Sequence, residues 1–418
     1  MFQTQNYFQH YTQRKAVLLF HKRNKREDLD IFDIPYYKML QKYLQLLGQD
    51  PHQSNEIRKI ILIVILISGA SVFIPTSIEV FVSLRKKDMD AVIECLPHLI
   101  ATATSMVKLL NIYIYRQNFK KMFDFISKEW ERLKFSDELH VLEEVTLQGS
   151  KVAHLYRNTL LSFMSLFLIA PLIVPMLDIV LPLNETRPRQ QLLRVNYLIF
   201  DEKEYFFYIY FQLFWAAIAI VLIIVTVDSL YILIIHHTSG LLAVCGYQIQ
   251  KVTENPIVFS NEADAYKQFR NCIIAHDRAI QFYDILNESS RFSYLIQVGL
   301  NMMGISVTAV QTVANFGRPE EAIRTAVFLG AEQFHLFVIS LPGQVLLDHC
   351  STLSDNIYSS TWYNIPVKAQ KMLHTMQIRS KKACSLTAGG LYEMNMENFG
   401  ITFKTCMSYF TMLMSLRE

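Results

Sequence analysis

The chain has 418 residues with a mean hydropathy of +0.20; 51% of its residues are hydrophobic and only 18% are charged. Soluble domains carry about 25% charged residues, so this composition excludes an ordinary soluble protein. The 40 Lys and Arg residues nearly balance the 37 Asp and Glu residues, and no basic tract of the kind that binds nucleic acid is present in the sequence. The six cysteines lack CxxC and Cys/His spacing, so we expect no disulfide framework, zinc site or other cofactor.

The apolar residues fall in long blocks, which predict transmembrane helices because a spanning helix needs about 20 mostly apolar residues. Residues 1–58 are instead polar, and a short amphipathic stretch at 36–47 is expected at the membrane surface or packed under the bundle. We therefore predict an all-α membrane protein, with the first six spans inside residues 59–347. The seven predicted spans are 60–84, 89–115, 152–181, 205–236, 292–313, 323–347 and 399–416.

Charged side chains within these spans are few. Each costs about 2.5–3.5 kcal/mol at the centre of a membrane helix, so it should face protein or water. Asp228 lies deepest, in an otherwise aliphatic run, and is predicted to make a buried polar contact. The other charged residues are Glu79, Glu94, Lys108, Asp178 and Lys404, and most of these five are expected near helix ends.

Two glycosylation sequons lie one predicted span apart, so at most one of them can face the lumen. Asn184 is in a proline-containing loop, whereas Asn287 is in a helical-looking segment beside a membrane edge. The sequence therefore favours Asn184 as the glycosylated residue, which places the N-terminus in the cytoplasm and the C-terminus outside. Charge does not decide the orientation, because the inner segments are much longer than the outer loops.

Two long polar segments, 237–291 and 348–397, lie on the predicted cytoplasmic side. Both contain apolar residues at helical spacing amid charge, around 252–290 and 351–377. Solvated linkers would explain such segments, but we favour helical extensions of the spans that pack together as an assembly domain.

The last segment, 398–418, has two faces. Thr405, Ser408, Thr411 and Ser415 recur at steps of three and four, so they form one hydroxyl-bearing stripe on a helix. Such a stripe suits a helix that lines a water-filled pore. Ser and Thr also form hydrogen bonds to neighbouring helices or to their own turn, so the stripe alone leaves both interpretations open.

Several motifs follow one another in a fixed order between residues 358 and 410. Tyr358, Trp362 and Tyr363 form a Tyr-x-x-x-Trp-Tyr stretch, and a basic run at 379–382 and an Ala-Gly pair at 388–389 come next. A last span centred on Ser-Tyr-Phe at 408–410 completes the set. In these motifs, in length and in the seven spans of reversed topology, the chain resembles the insect odorant receptor family.

The resemblance implies a ligand-gated, non-selective cation channel in the cell membrane of a sensory neuron, with four subunits around a pore that passes Na, K and Ca ions. It implies that the last helix lines this pore and that Tyr358, Trp362 and Tyr363 belong to the assembly segment. Family members usually assemble with the odorant co-receptor (Orco). The C-terminal sequence differs from that of the co-receptor at several positions, so the chain resembles an odour-tuning subunit.

By the same resemblance, the gate corresponds to Met412 and Leu416, and Ser415 takes a polar position between them. This face lies about 60° from the hydroxyl stripe on an ideal helix, so two faces of the last helix remain candidates for the pore.

The resemblance places the site for a small volatile ligand in the outer half of spans two, three, four and six, near the base of span five. Such a site should be mostly apolar and aromatic with a few polar groups. Core packing and the aromatic belt at the membrane interface are the alternatives for its aromatic residues. The predicted ligand contacts are His98, Phe167, Pro171, Tyr208, Phe211, Gln212, Trp215, Met303, Ser306 and Phe328.

Other classes of membrane protein fit less well. Insect gustatory receptors are similar but typically end in a different motif. A G-protein-coupled receptor should carry Asp-Arg-Tyr after span three and Asn-Pro-x-x-Tyr in span seven, and this sequence has neither. A transporter should show inverted repeats, and no hydrolytic or redox constellation indicates an enzyme.

Overall fold

The computed structural model describes residues 29–180, 191–198, 204–254 and 262–417. It is built from α-helices, as predicted, with three short 3-10 turns at Ile31–Asp33, Ala170–Leu172 and Trp362–Asn364. A two-stranded antiparallel hairpin is the exception, formed by β1 (Thr387–Ala388) and β2 (Tyr392–Glu393). The α-helices are α1 (Lys38–Leu46), α2 (Asn55–Lys86), α3 (Met89–Ile114), α4 (Arg116–Leu133), α5 (Leu139–Ile169), α6 (Ile173–Val180), α7 (Phe206–Thr253), α8 (Glu262–Ala314), α9 (Pro319–Ser359), α10 (Val367–Ser380) and α11 (Met396–Arg417).

Within the described ranges, six helices are long and apolar enough to cross a membrane: α2, α3, α5, α7, α8 and α9. The prediction of an all-α membrane protein is confirmed. α2, α3, α7, α8 and α9 cover their predicted spans to within one residue, whereas the predicted third span begins in α5 and continues through the turn Ala170–Leu172 into α6. The predicted seventh span is α11, which has 22 residues. It is long enough to cross but is less apolar than the other six, since Lys404 and the hydroxyl side chains lower its hydropathy.

Three helices continue far beyond the thickness of a bilayer. α7 has 48 residues, α8 has 53 and α9 has 41. At 1.5 Å per residue they are about 60 to 80 Å long, whereas the hydrocarbon core is about 30 Å thick. Over the described residues, the polar segment 237–291 is therefore largely a continuation of α7 and α8. In the polar segment 348–397, residues 348–359 continue α9, and the rest forms a 3-10 turn, α10 and the hairpin.

α7 forms the centre of the bundle, and every residue from 230 to 242 is buried. It packs against α2, α3, α5, α8 and α9. Small residues allow the closest approach: a Cβ added at Gly149 of α5 would lie 2.5 Å from Cγ of His236 on α7. Close packing through small residues is how helices associate in a membrane, where lipid is as apolar as the side chains.

The described part of the polar N-terminal segment, residues 29–54, packs under the bundle. Tyr37, Leu40 and Leu44 are buried on one face of α1 and its preceding turn, in the same core as Trp130 of α4. The amphipathic stretch of the sequence thus covers the end of the bundle with its apolar face.

The turn of the hairpin forms hydrogen bonds with α8. Gly389 and Gly390 have φ values of +65° and +77°, which glycine adopts without steric cost. The Gly389 N–H donates to the Arg291 carbonyl at 2.9 Å, and Arg291 Nη2 donates back to the Gly389 carbonyl at 2.9 Å. The Ala-Gly pair of the sequence motif therefore forms this turn.

Candidate ligand-binding site

A cavity of about 160 Å³ lies among α2, α3, α5, α7, α8 and α9. An apolar cavity of about 150 Å³ holds benzene, so this one has the size for a small organic molecule. Its polar lining residues are His98, Thr102, Thr104, Asn301, Glu332 and His335. The apolar ones are Val72, Ile100, Ala101, Leu160, Phe163, Met164, Phe167, Leu193, Ala217, Ile220, Val221, Ile224, Val327, Phe328 and Ala331.

Three rings from three helices form a cage on one side of the cavity. The centroids of His98 and Phe328 are 5.3 Å apart, those of His98 and Phe167 are 5.8 Å apart, and those of Phe167 and Phe328 are 6.0 Å apart. These separations lie in the range of favourable aromatic pairs. All three residues are among the predicted ligand contacts, and the structure brings them together in the cavity wall.

The other predicted contacts lie elsewhere. Tyr208, Phe211 and Trp215 are 78%, 66% and 64% exposed, because they occupy the face of α7 opposite Ala217 and Ile224, which line the cavity. The predicted contacts on α7 therefore lie on the face away from this cavity, a distinction that the sequence does not reveal because α7 is apolar all round.

The remaining four predicted contacts also lie outside the cavity lining. Met303 is 58% exposed, on the side of α8 opposite Asn301. Gln212 binds Ser71 Oγ at 2.8 Å, and Pro171 is buried in the turn after α5. Ser306 Oγ donates to the Met302 carbonyl of its own helix at 2.7 Å.

Asp228 makes the buried polar contact that the sequence predicts, and its partners come from three other helices. Its carboxylate forms an ion pair with Lys108 of α3 and accepts a hydrogen bond from the Tyr156 hydroxyl of α5 at 2.5 Å. His335 Nδ1 lies 2.8 Å from that hydroxyl, and Lys108 also donates to Gln297 Oε1 of α8 at 2.5 Å. Lys108 is fully buried, about two turns before the end of α3, so its charge is paired inside the bundle and does not reach the membrane interface.

His335 connects this ionic cluster to the cavity. Its Nδ1 faces Tyr156 and Asp228, while the residue itself lines the cavity. Sequence reasoning missed His335, Glu332 and Asn301. Polar side chains on membrane helices were the available signal, because they face protein or water rather than lipid.

Comparison with known proteins identifies the family. Residues 88–407 match the family model described as 7tm Odorant receptor. The chain belongs to the odorant receptor family. It is therefore a multi-pass membrane receptor for a small-molecule odorant, and not an enzyme.

Known odorant and olfactory receptors are similar to this receptor over most of its length. Odorant receptor Or2 of Anopheles gambiae is 23% identical over 317 residues, which cover 72% of this chain and 78% of the relative. The olfactory receptor OR5 of Machilis hrabei, solved in complex with eugenol, superposes with a TM-score of 0.75 at 13% identity, covering 91% of this chain and 98% of the other. A second OR5 structure superposes with a TM-score of 0.70 at 12% identity. These two structures share the fold.

The segment 191–198 contributes Leu193 to the wall of the receptor's cavity. Arg194 anchors this segment, because its guanidinium lies 2.8 Å from Glu79 and 3.6 Å from both Asp88 and Glu94. Asn196 Nδ2 also donates to Glu79, at 3.0 Å. Glu94 lies in the second turn of α3 and Glu79 about two turns before the end of α2, and both pair with this segment.

α11 packs on the receptor along one narrow line and exposes the rest of its surface. Thr402 and Cys406 are buried, whereas Ser408, Met412 and Ser415 are exposed and Thr405 is half-buried. Four α11 hydroxyls bond to carbonyls of their own helix, those of Thr405, Ser408, Thr411 and Ser415. The described residues of both candidate pore faces are therefore exposed or half-buried. Leu416 belongs to α11, but its side chain lies outside the description.

An exposed aromatic patch lies at the end of α9 and consists of Tyr358, Trp362 and Tyr363. These residues are 71%, 42% and 64% exposed, and the Trp362 and Tyr363 rings pack edge to face at 6.0 Å. Exposed apolar patches mark interaction sites.

Of the two asparagines in glycosylation sequons, Asn184 lies outside the described residues. Asn287 Oδ1 accepts a hydrogen bond from the Thr387 N–H at 3.0 Å.

Proposed function

We propose that the receptor is an odour-tuning subunit of an odorant-gated, non-selective cation channel. The observation that carries this proposal is the cavity, which is bounded by six helices, mostly apolar and of a size for one small molecule. A volatile organic ligand gains binding free energy there by burying its apolar surface, at about 25 cal/mol per Å². The OR5 relative in complex with eugenol supports a small-molecule ligand for this fold.

A direct packing contact links the cavity to α11. Cys406 of α11 approaches α8 at two points: its Sγ lies 3.8 Å from the Met302 carbonyl, and its own carbonyl lies 3.4 Å from Ser306 Oγ. Met302 follows Asn301, which lines the cavity. A ligand that binds better when α8 is displaced would shift the population towards that arrangement, and α11 would move with α8.

Four subunits, some of them the co-receptor (Orco), would surround one pore that passes Na, K and Ca ions. The exposed surface of α11 supports a pore lined by this helix, with Thr405, Ser408, Met412, Ser415 and Leu416 as its candidate residues. The aromatic patch supports an assembly interface on the cytoplasmic side. In this arrangement the 191–198 segment faces outward.

Whole-cell current during exposure to a broad panel of volatiles tests this function. Cells would express the receptor alone, the co-receptor alone or both, and surface biotinylation would verify delivery to the membrane. We expect odorant-evoked cation current only when both are present, and altered ion permeation in Met412→Ala. Current from the receptor alone would contradict the heteromer, and silence in all cells despite surface expression would contradict the function.

A further inference from the structure

One side of the cavity is polar, although the rest of its wall is mostly apolar. Asn301 of α8 and Glu332 and His335 of α9 form this polar floor. These three side chains lie at a similar level along the length of the bundle. Gln297, one turn before Asn301, contacts the ionic cluster that includes His335, and a Cβ added at Gly304, one turn after, would lie 2.7 Å from Glu332 Oε1. Asn301 is therefore at the level between the two α9 side chains.

Three polar atoms of the floor lack partners. Asn301 Nδ2, Glu332 Oε2 and His335 Nε2 are buried and form no hydrogen bond with any residue that the structure describes. The Asn301 and His335 side chains are at least nine-tenths buried, with residue exposures of 8% and 7%. Buried polar groups are satisfied in nearly all proteins because an unmade hydrogen bond is costly. A ligand in the cavity is in position to satisfy these atoms.

The ionic cluster determines which partner His335 Nε2 requires. The single Tyr156 hydroxyl proton is donated to Asp228 Oδ2 at 2.5 Å. His335 Nδ1 faces the same two oxygens, at 2.8 Å from Tyr156 and 3.4 Å from Asp228, so Nδ1 carries a proton and donates it. In the neutral imidazole the other nitrogen is then an acceptor. The cavity thus presents an acceptor at Nε2 and a donor at Asn301 Nδ2.

We propose that this receptor selects odorants that carry a hydroxyl group, bound with the hydroxyl on the polar floor and the apolar body against the aromatic cage. This inference rests on the proposed function of the cavity. A hydroxyl is a single small group that both donates and accepts. It donates to His335 Nε2 and accepts from Asn301 Nδ2. An ether only accepts, so it leaves His335 Nε2 unsatisfied. A hydrocarbon neither donates nor accepts, so it leaves both His335 Nε2 and Asn301 Nδ2 unsatisfied.

Matched ligands test this selection. Cells that express the receptor with the co-receptor would be exposed to straight-chain alkanols, phenols and monoterpene alcohols. Each would be compared with its methyl ether, its parent hydrocarbon and the corresponding primary amine. We expect the best alcohol to evoke half-maximal current at a concentration about tenfold or more below that of its ether, because one unsatisfied buried group costs roughly that factor in affinity.

Asn301→Leu removes the donor without touching the ionic cluster, and we expect it to reduce the alcohol-to-ether difference to less than about threefold. His335→Phe should act in the same direction, with surface biotinylation to verify that it folds. The matched control is Ser162→Ala, which removes an exposed hydroxyl that bonds to its own helix on α5 and should leave the difference unchanged.

Currents of equal sensitivity to alcohols and ethers would overturn the inference while leaving the proposed function intact. A primary amine that outperforms its alcohol would also overturn it, since the Glu332 carboxylate would then dominate recognition. Silence towards every volatile, despite both subunits at the surface, would instead refute the proposed function and the inference with it.

Discussion

The carboxylate of Asp228 is buried at the centre of the bundle with the Lys108 ammonium group and the Tyr156 hydroxyl. Charges in such a position are tolerated because they are paired, and breaking a buried pair leaves an uncompensated charge. The sequence identifies Asp228 as the buried acid because it interrupts an aliphatic run. It does not identify Lys108, which lies 120 residues away in the chain and close to the predicted end of its span.

The ion pair gives a prediction at this scale. Lys108→Met and Asp228→Leu should each destabilise the receptor by about 3–5 kcal/mol, whereas the double variant should recover most of this loss because no charge stays unpaired. Thermal unfolding of the detergent-purified protein measures the effect. Equal losses in the single and double variants would show that the pair itself contributes little.

At the scale of the element, the helices follow from long apolar blocks, but their orientation does not. A helix that is apolar all round can face protein or lipid on any side, so the composition of α7 cannot tell which residues face the cavity. Trp215 and Phe211 are exposed, whereas Ala217 and Ile220 line the cavity. In contrast, α3, α5 and α9 each place one predicted ligand contact in the cavity wall, and the three form the aromatic cage.

The close packing of α5 on α7 gives the prediction at this scale. Gly149→Ala should destabilise the receptor by about 1–3 kcal/mol, because the new Cβ would collide with the His236 ring. Gly299→Ala is the matched control, since nothing lies within 4 Å of a Cβ added there, and alanine favours a helix over glycine by about 1 kcal/mol. Thermal unfolding should show that Gly149→Ala is less stable than Gly299→Ala. Equal stability of the two variants would contradict the close approach of α5 to α7.

At the scale of the whole molecule, two surfaces of the described residues are largely exposed: most of α11 and the aromatic patch at the end of α9. The sequence indicated both regions through the family motifs. It could not indicate their exposure, because burial depends on which helices pack together. Both surfaces are placed where other subunits of the proposed channel would contact this chain.

Substitutions in the aromatic patch test whether it contacts another subunit. Trp362→Ala combined with Tyr363→Ala should reduce co-purification with the co-receptor by about tenfold, as expected for aromatic residues at the centre of an interface. Phe135→Ala is the matched control, because Phe135 is 77% exposed in the turn between α4 and α5. Undiminished co-purification of the double variant would place the interface elsewhere.

The most direct test of the central claim, that a ligand in the cavity drives the current, is to fill the cavity. Ala331 lines it, and Ala326 is exposed on the same helix. Odorant-evoked current would be measured for Ala331→Phe and Ala326→Phe, each expressed with the co-receptor and matched for surface amount. We predict that Ala331→Phe abolishes the response or raises the half-maximal concentration at least about tenfold, while Ala326→Phe responds normally. A normal response from Ala331→Phe would contradict the assignment of this cavity as the odorant site.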